Sequence, residues 1–137
     1  MTSLMQPFFG MMLLTLLVWG LMYVRRLSFL QRQGLDPQEF VTPEKITGLV
    51  PESTNAASNN LKNLFEMPVI FYALCLYLES NQLVDNTYVM LAYGFLIFRV
   101  LHSVIHCTYN RVMHRFSCYL ISSVLLWAML IRIVFNS

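Results

Sequence analysis

Long apolar runs alternate with shorter polar stretches along this chain. The segment "MMLLTLLVWGLMYV" is apolar almost without a break. Four such runs, at about 7–30, 61–78, 83–107 and 116–135, each approach the roughly 20 residues that a hydrocarbon layer about 30 Å thick requires. None alternates with the period of two that marks an outer-membrane strand. Lipid also demands that each segment satisfy its own backbone amides, which a helix does. The pattern therefore predicts an all-α integral membrane protein, a single four-helix transmembrane domain over residues 1–137.

The links shape the topology. The one long polar segment, 31–60, lies between the first and second runs; it contains Gly34, Pro37, Pro43, Gly48 and Pro51. Thr42 followed by Pro43 is a helix-start signal. The stretch "PESTNAASNN" reads as a loop, with Ser58 or Asn59 as caps for the second helix. The second and third links, "ESNQLVDNT" and "TYNRVMHR", are short, so the helices they join are antiparallel neighbours in an up-down-up-down bundle. The first run has no basic residue before it and no small-residue cleavage signal after it, so it reads as a retained helix.

Composition agrees with a lipid solvent. Hydrophobic residues make up 57% of the chain and charged ones 12%, about half the soluble average. The net charge of +2 says little, but the placement of the charges says more. Arg25, Arg26, Arg32, Lys45 and Lys62 border or lie in the first link, and Arg111 and Arg115 in the third. The second link and the N-terminal tail carry no Lys or Arg. The positive-inside rule then puts the first and third links on the cytoplasmic side and both termini opposite, in an inner or intracellular membrane. Arg132 dissents; it sits at a helix edge, where it can snorkel. Cys75, Cys107 and Cys118 lack paired spacing and read as small buried hydrophobes. No basic patch with interleaved aromatics indicates nucleic acid.

Ionisable groups inside the apolar runs carry the functional signal, because they are costly in lipid and face protein or water. Asn59, Asn63 and Glu66 share one face of the second helix, and Arg99, His102 and His106 one stripe of the third. Glu66 and Arg99 lie at similar depth on antiparallel helices, which predicts an ion pair between Glu66 and Arg99 of the same chain or its copy across a subunit interface. Pro68 removes the helical hydrogen bond to residue 64 and predicts a kink beside Glu66. His102 and His106 lack the companions of a metal site, and none is expected. On residues alone, this polar cluster is either a ligand pocket or structural glue between helices.

Two motifs resemble the MAPEG family, the membrane-associated proteins in eicosanoid and glutathione metabolism. "NLFEMPVIF" is similar to its helix-two signature, through Asn63, Glu66 and Pro68. "FRVLHSVIH" is similar to its helix-three signature, through Arg99 and His102. The resemblance implies a homotrimer with glutathione held between subunits near the cytoplasmic side. It implies Arg115 as the catalytic residue that favours the thiolate. It implies Arg25, Arg26, Asn63, Glu66, Arg99, His102, His106, Arg111 and Tyr119 as the residues around glutathione. The implied activity is a glutathione-dependent transferase or peroxidase whose lipophilic small-molecule substrate arrives from the bilayer. The chain also departs from the family. Asn59 stands where active members carry an arginine, His106 where a tyrosine is common, and Phe116 where one branch has a serine. These departures motivate an alternative, a noncatalytic accessory, lipid-binding or scaffold subunit of a larger membrane complex.

Overall fold

A computed structural model describes residues 3–34, 38 and 51–136, with Ser53 described in its backbone only. It contains five helices among the described residues: α1 (Met5–Gln33), α2 (Glu52–Leu64), α3 (Met67–Ser80), α4 (Asn86–Cys107) and α5 (Val112–Asn136). The expected helix start at Thr42 and Pro43 lies outside the described residues.

Four spans are long and apolar enough to cross a membrane, with α2 and α3 together forming the second, Thr54–Ser80. At most 39% of each span's most apolar window is buried. The remaining apolar surface, such as Leu16, Leu17, Val24 and Leu27 on α1, faces outward. A helix apolar on both its inner and outer faces needs lipid as its solvent. The chain is an all-α, integral, multi-pass membrane protein.

The second span differs from the sequence-based expectation. Its helix begins at Glu52 rather than near residue 61, so "PESTNAASNN" is helix after its first residue, Pro51, and not loop. Ser58 and Asn59 are interior to α2, and Ser58 is buried. The reason lies in packing. Ala56, Ala57, Ser58 and Asn60 are buried, and α2 lies along α1. Small residues let two backbones approach closely, which sequence polarity hides. In place of the kink expected from Pro68, the helix breaks completely: α2 ends at Leu64 and α3 starts at Met67. Proline has no N–H to give the Leu64 carbonyl, and its ring clashes with that carbonyl in a continuous helix.

The most extensive contact is α4 against α5, followed by α1 against α2. Met11, Leu14, Phe71, Leu78, Ala92, Phe95, Leu126 and Met129 fill the common core. Phe71 and Phe95 stack at 4.5 Å between centroids, worth about 1 kcal/mol beyond buried area. Gly94 lets α4 sit close to α5, for a Cβ there would fall 2.8 Å from Leu125 Cδ1. Gly34 ends α1 with φ 63°, a left-handed cap that glycine adopts without strain.

Candidate functional site

The buried polar groups cluster where α4 faces α2 and the start of α5. Arg99 is the largest fully buried side chain, at 0% exposure. Its position on α4 places it one turn from Phe95 and close to His102 and Ser103, all buried. Its Nη2 donates to the Asn63 carbonyl at 3.4 Å. Its guanidinium carbon lies 5.1 Å from the Tyr119 ring centroid and 5.6 Å from that of Phe95. Nε and Nη1 have no hydrogen-bond partner among the described residues.

The Asn63 carbonyl is available because of Pro68. In an unbroken helix it would accept from the Met67 N–H. The break leaves it with Glu66 N at 3.3 Å and with Arg99. One proline thus reshapes a helix end and exposes an acceptor to a buried cation.

The expected Glu66–Arg99 ion pair is not formed in the protomer. Glu66 sits at the break and is exposed, whereas Arg99 turns inward. The break rotates Glu66 off the regular helical face on which the spacing had placed it. Asn59 is exposed as well; the buried asparagines of α2 are Asn55, at 6% exposure, and Asn60, at 0%. Asn60 Oδ1 accepts from Ser103 Oγ at 3.3 Å, and its Nδ2 lies 3.6 Å from Cys107 Sγ. Sequence reasoning missed Asn60 and Ser103. The signal was present: Asn60 continues the Ala56–Leu64 spacing of four, and Ser103 lies four residues after Arg99.

His102 Nδ1 lies 3.1 Å from the Arg115 carbonyl oxygen. A carbonyl only accepts, so Nδ1 carries the proton and, in the neutral ring, Nε2 is an acceptor. That Nε2 is buried and unpartnered among the described residues, as is His106 Nδ1. The two imidazoles meet edge-on at 5.7 Å, and His102 lies 5.9 Å from Tyr119. Arg115 is partly buried, and its Nη1 donates to Asn110 Oδ1 at 2.6 Å.

Six of the ten residues expected at the site therefore converge: Asn63, Arg99, His102, His106, Arg115 and Tyr119. Glu66 stands at the margin. Arg25 Nη2 donates to the Cys107 carbonyl at 2.6 Å, which ties α1 to the end of α4. Arg26 Nη2 donates to Ser58 Oγ at 2.8 Å, which ties α1 to α2. Arg111 is exposed. The site's arrangement is cationic, with unpartnered imidazole nitrogens on His102 and His106 among the described residues; Glu66 acts on Arg99 only at longer range and forms no ion pair with it.

A family model described as the MAPEG family matches residues 4–135. The chain belongs to the MAPEG family. Searches against curated proteins and against solved structures found no match. Within this family member, the two motifs that carried the resemblance flank one another: the helix-two asparagine meets the helix-three arginine through its backbone carbonyl.

A second polar cluster lies at the opposite end of the bundle. Asp85 caps α4 by accepting from the Tyr88 N–H at 3.0 Å. It also forms a two-pronged pair with Arg132, with both N···O distances 2.7 Å. Arg132 stacks 4.3 Å from the Tyr88 ring. The Arg132 guanidinium, followed by the Tyr88 N–H, holds the Asp85 carboxyl down at about 2. Arg132 thus ties α5 to the start of α4 instead of only snorkelling. Glu79 is also engaged, accepting from Ser3 Oγ at 2.9 Å and from the Leu4 N–H.

Proposed function

We propose that this MAPEG member is a membrane-bound glutathione-dependent transferase or peroxidase acting on lipophilic electrophiles. One observation carries the reading: Arg99 is fully buried while Nε and Nη1 lack acceptors among the described residues. A buried guanidinium is costly unless an anion meets it. A ligand carboxylate fits a planar fork of donors. Glutathione is anionic and suits this cationic, acceptor-poor site.

Arg99 binds a carboxylate, aided by the ring of Tyr119 beneath the guanidinium. The Asn63 carbonyl fixes the orientation of Arg99. Glutathione, when bound, supplies a thiol that is a strong nucleophile once deprotonated. Arg115 favours the thiolate through its positive charge. His102 Nε2 offers a buried acceptor for the thiol proton, with its tautomer fixed by the Arg115 carbonyl. Arg111 adds a positive charge at the exposed rim, and the His106 ring stands edge-on to His102. The lipophilic partner enters from the bilayer along the outward apolar faces.

Glu66 supports a homotrimer. It is exposed among the exposed apolar residues Phe65 and Val69. A carboxylate on a membrane-facing surface needs a partner across a protein interface. In the assembly Glu66 orients a cation of the ligand or of a neighbouring copy. The first and third links face the cytoplasm, as the arginine distribution indicates.

Calorimetry of the purified protein in detergent with glutathione tests the reading. Binding at millimolar ligand or tighter, weakened in Arg99→Leu, is the expected result. Conjugation of a lipophilic electrophile should fall in Arg115→Ala. Absence of binding by the wild-type protein overturns the enzymatic reading in favour of a noncatalytic accessory subunit. Cross-linking in the membrane reports the copy number, and labelling of single introduced cysteines in each link reports the orientation.

A further inference from the structure

Away from the Arg99 cluster, two cavities meet end to end along α1 and α4. One is an apolar groove of about 300 Å³, walled by Leu14, Leu17, Val18 and Leu21 of α1 and Val100 and Val104 of α4. The other is a polar cavity of about 720 Å³, bounded by Arg25, Ser28, Arg32 and Gln33 of α1 and Thr54 of α2. Both volumes lie in the range of small-molecule sites. The cavities share Arg25, Cys107 and Thr108. Neither is lined by Arg99, His102, Arg115 or Tyr119, and no acidic residue is among the described lining residues of either.

The dimensions match one leaflet. Leu14 and Arg25 are about 16 Å apart along α1 at about 1.5 Å per residue. That is about half of a 30 Å hydrocarbon core. The apolar groove therefore runs from mid-membrane toward the surface, and the arginines stand where its depth ends. Arg25 is held at the junction by its bond to the Cys107 carbonyl. Arg32, one and a half to two turns further on, is exposed at the mouth. Basic pockets between membrane helices at this level recognise anionic lipid headgroups, and guanidinium pairs with phosphate in two-pronged fashion.

We propose that this composite cavity binds one anionic phospholipid per protomer. An acyl chain lies in the α1–α4 groove and the phosphate headgroup lies against Arg25 and Arg32. The charge of the wide cavity selects the anionic headgroup, and the groove selects an acyl chain without reading its length. Bound there, the lipid bridges α1, α2 and the end of α4, whose contacts with one another otherwise include the Arg25–Cys107 and Arg26–Ser58 bonds. Arg25 is also among the residues the resemblance places around glutathione, but the lipid site is argued from the two cavities, which Arg99, His102, Arg115 and Tyr119 do not line.

Native mass spectrometry of the full chain in detergent, with phosphatidylglycerol or phosphatidylcholine of identical acyl chains, tests the proposal. Phosphatidylglycerol should be retained in preference. Arg32→Ala, at an exposed position, should fold normally and cut that preference about fivefold. Val104→Trp should reduce retention of both lipids by filling the groove. A photo-cross-linker at Leu17 should capture lipid. Equal retention of the two lipids by the wild type would overturn the proposal. So would a preference untouched by Arg32→Ala, or a cross-link from Leu17 only to a second copy of the chain. Glutathione binding serves as the control and should be unchanged in Arg32→Ala.

Discussion

Two arginines sit at opposite ends of this bundle and meet opposite fates. Arg132 finds Asp85 at 2.7 Å through two nitrogens and covers the ring of Tyr88, all within one protomer. Arg99 is more deeply buried, yet it meets one backbone carbonyl at 3.4 Å and two aromatic faces. The chain completes the coordination of the rim arginine and leaves that of the buried arginine open. Cation–π contacts offset part of the cost of burying a guanidinium but supply no counter-charge. Completeness marks the Asp85–Arg132 pair as a clamp between α4 and α5. Arg99 forms no such clamp, for its Nε and Nη1 have no hydrogen-bond partner among the described residues.

The strongest way to break this contrast is Arg99→Leu. If Arg99 is held for an anion, the variant should lose glutathione binding by about 30-fold or more, the loss expected when one partner of a buried charge pair goes. Thermal unfolding without ligand should be unchanged or shifted upward, since an uncompensated buried charge has been replaced by packing. A large drop in ligand-free stability would instead make Arg99 a structural element like Arg132.

Pro68→Ala should come next. It lets α2 and α3 fuse, so that the Met67 N–H takes the Asn63 carbonyl. Arg99 then loses its one hydrogen bond, and glutathione affinity should fall about tenfold, in line with about 1.5 kcal/mol for a bond to a charged donor. Helix content by circular dichroism should rise slightly. Affinity equal to wild type would show that the break does not set the arginine's orientation.

Asp85→Ala probes the complete cluster. Loss of the cap alone should cost about 1 kcal/mol, read by thermal unfolding, with glutathione binding intact. The pH dependence carries a sign. The Asp85 carboxyl lies at about 2 when folded against an ordinary 3.8. Its stabilisation is therefore present above about pH 4 and is lost as pH falls toward 2. The pair is partly exposed, so salt should weaken it. In the variant this portion of the acid sensitivity should vanish; its persistence would assign the effect to other carboxylates.

The smallest effect is expected for Tyr119→Phe. The ring under Arg99 remains, so stability should stay within about 0.5 kcal/mol. A larger change would show that the hydroxyl, and not the ring face, supports the cluster.

The four spans, the MAPEG resemblance and a distortion of the second helix at Pro68 are all legible in the residues, though the residues predict a kink and the structure has a full break. Their causes are local: a lipid crossing needs a minimum apolar length, and proline lacks an N–H wherever it stands. The polar start of the second helix was not legible, because Ala56, Ala57, Ser58 and Asn60 form a helix by packing on α1, and polarity counts do not register small residues. Nor was the partner of Arg99. Regular spacing set Glu66 opposite it, but the break moves the carboxylate outward and leaves the Asn63 carbonyl in its place.

The sequence by itself thus determined that this chain crosses a membrane four times, belongs with the MAPEG proteins and carries cations inside its helices. Hydrophobic length and residue type suffice for those conclusions. Only the tertiary structure decided which cation is satisfied and which is open, and which faces of α1 and α4 leave a groove ending in arginines. Those outcomes depend on rotations of about one residue around a helix axis, roughly 100° each. No linear pattern resolves them once a proline has interrupted the period.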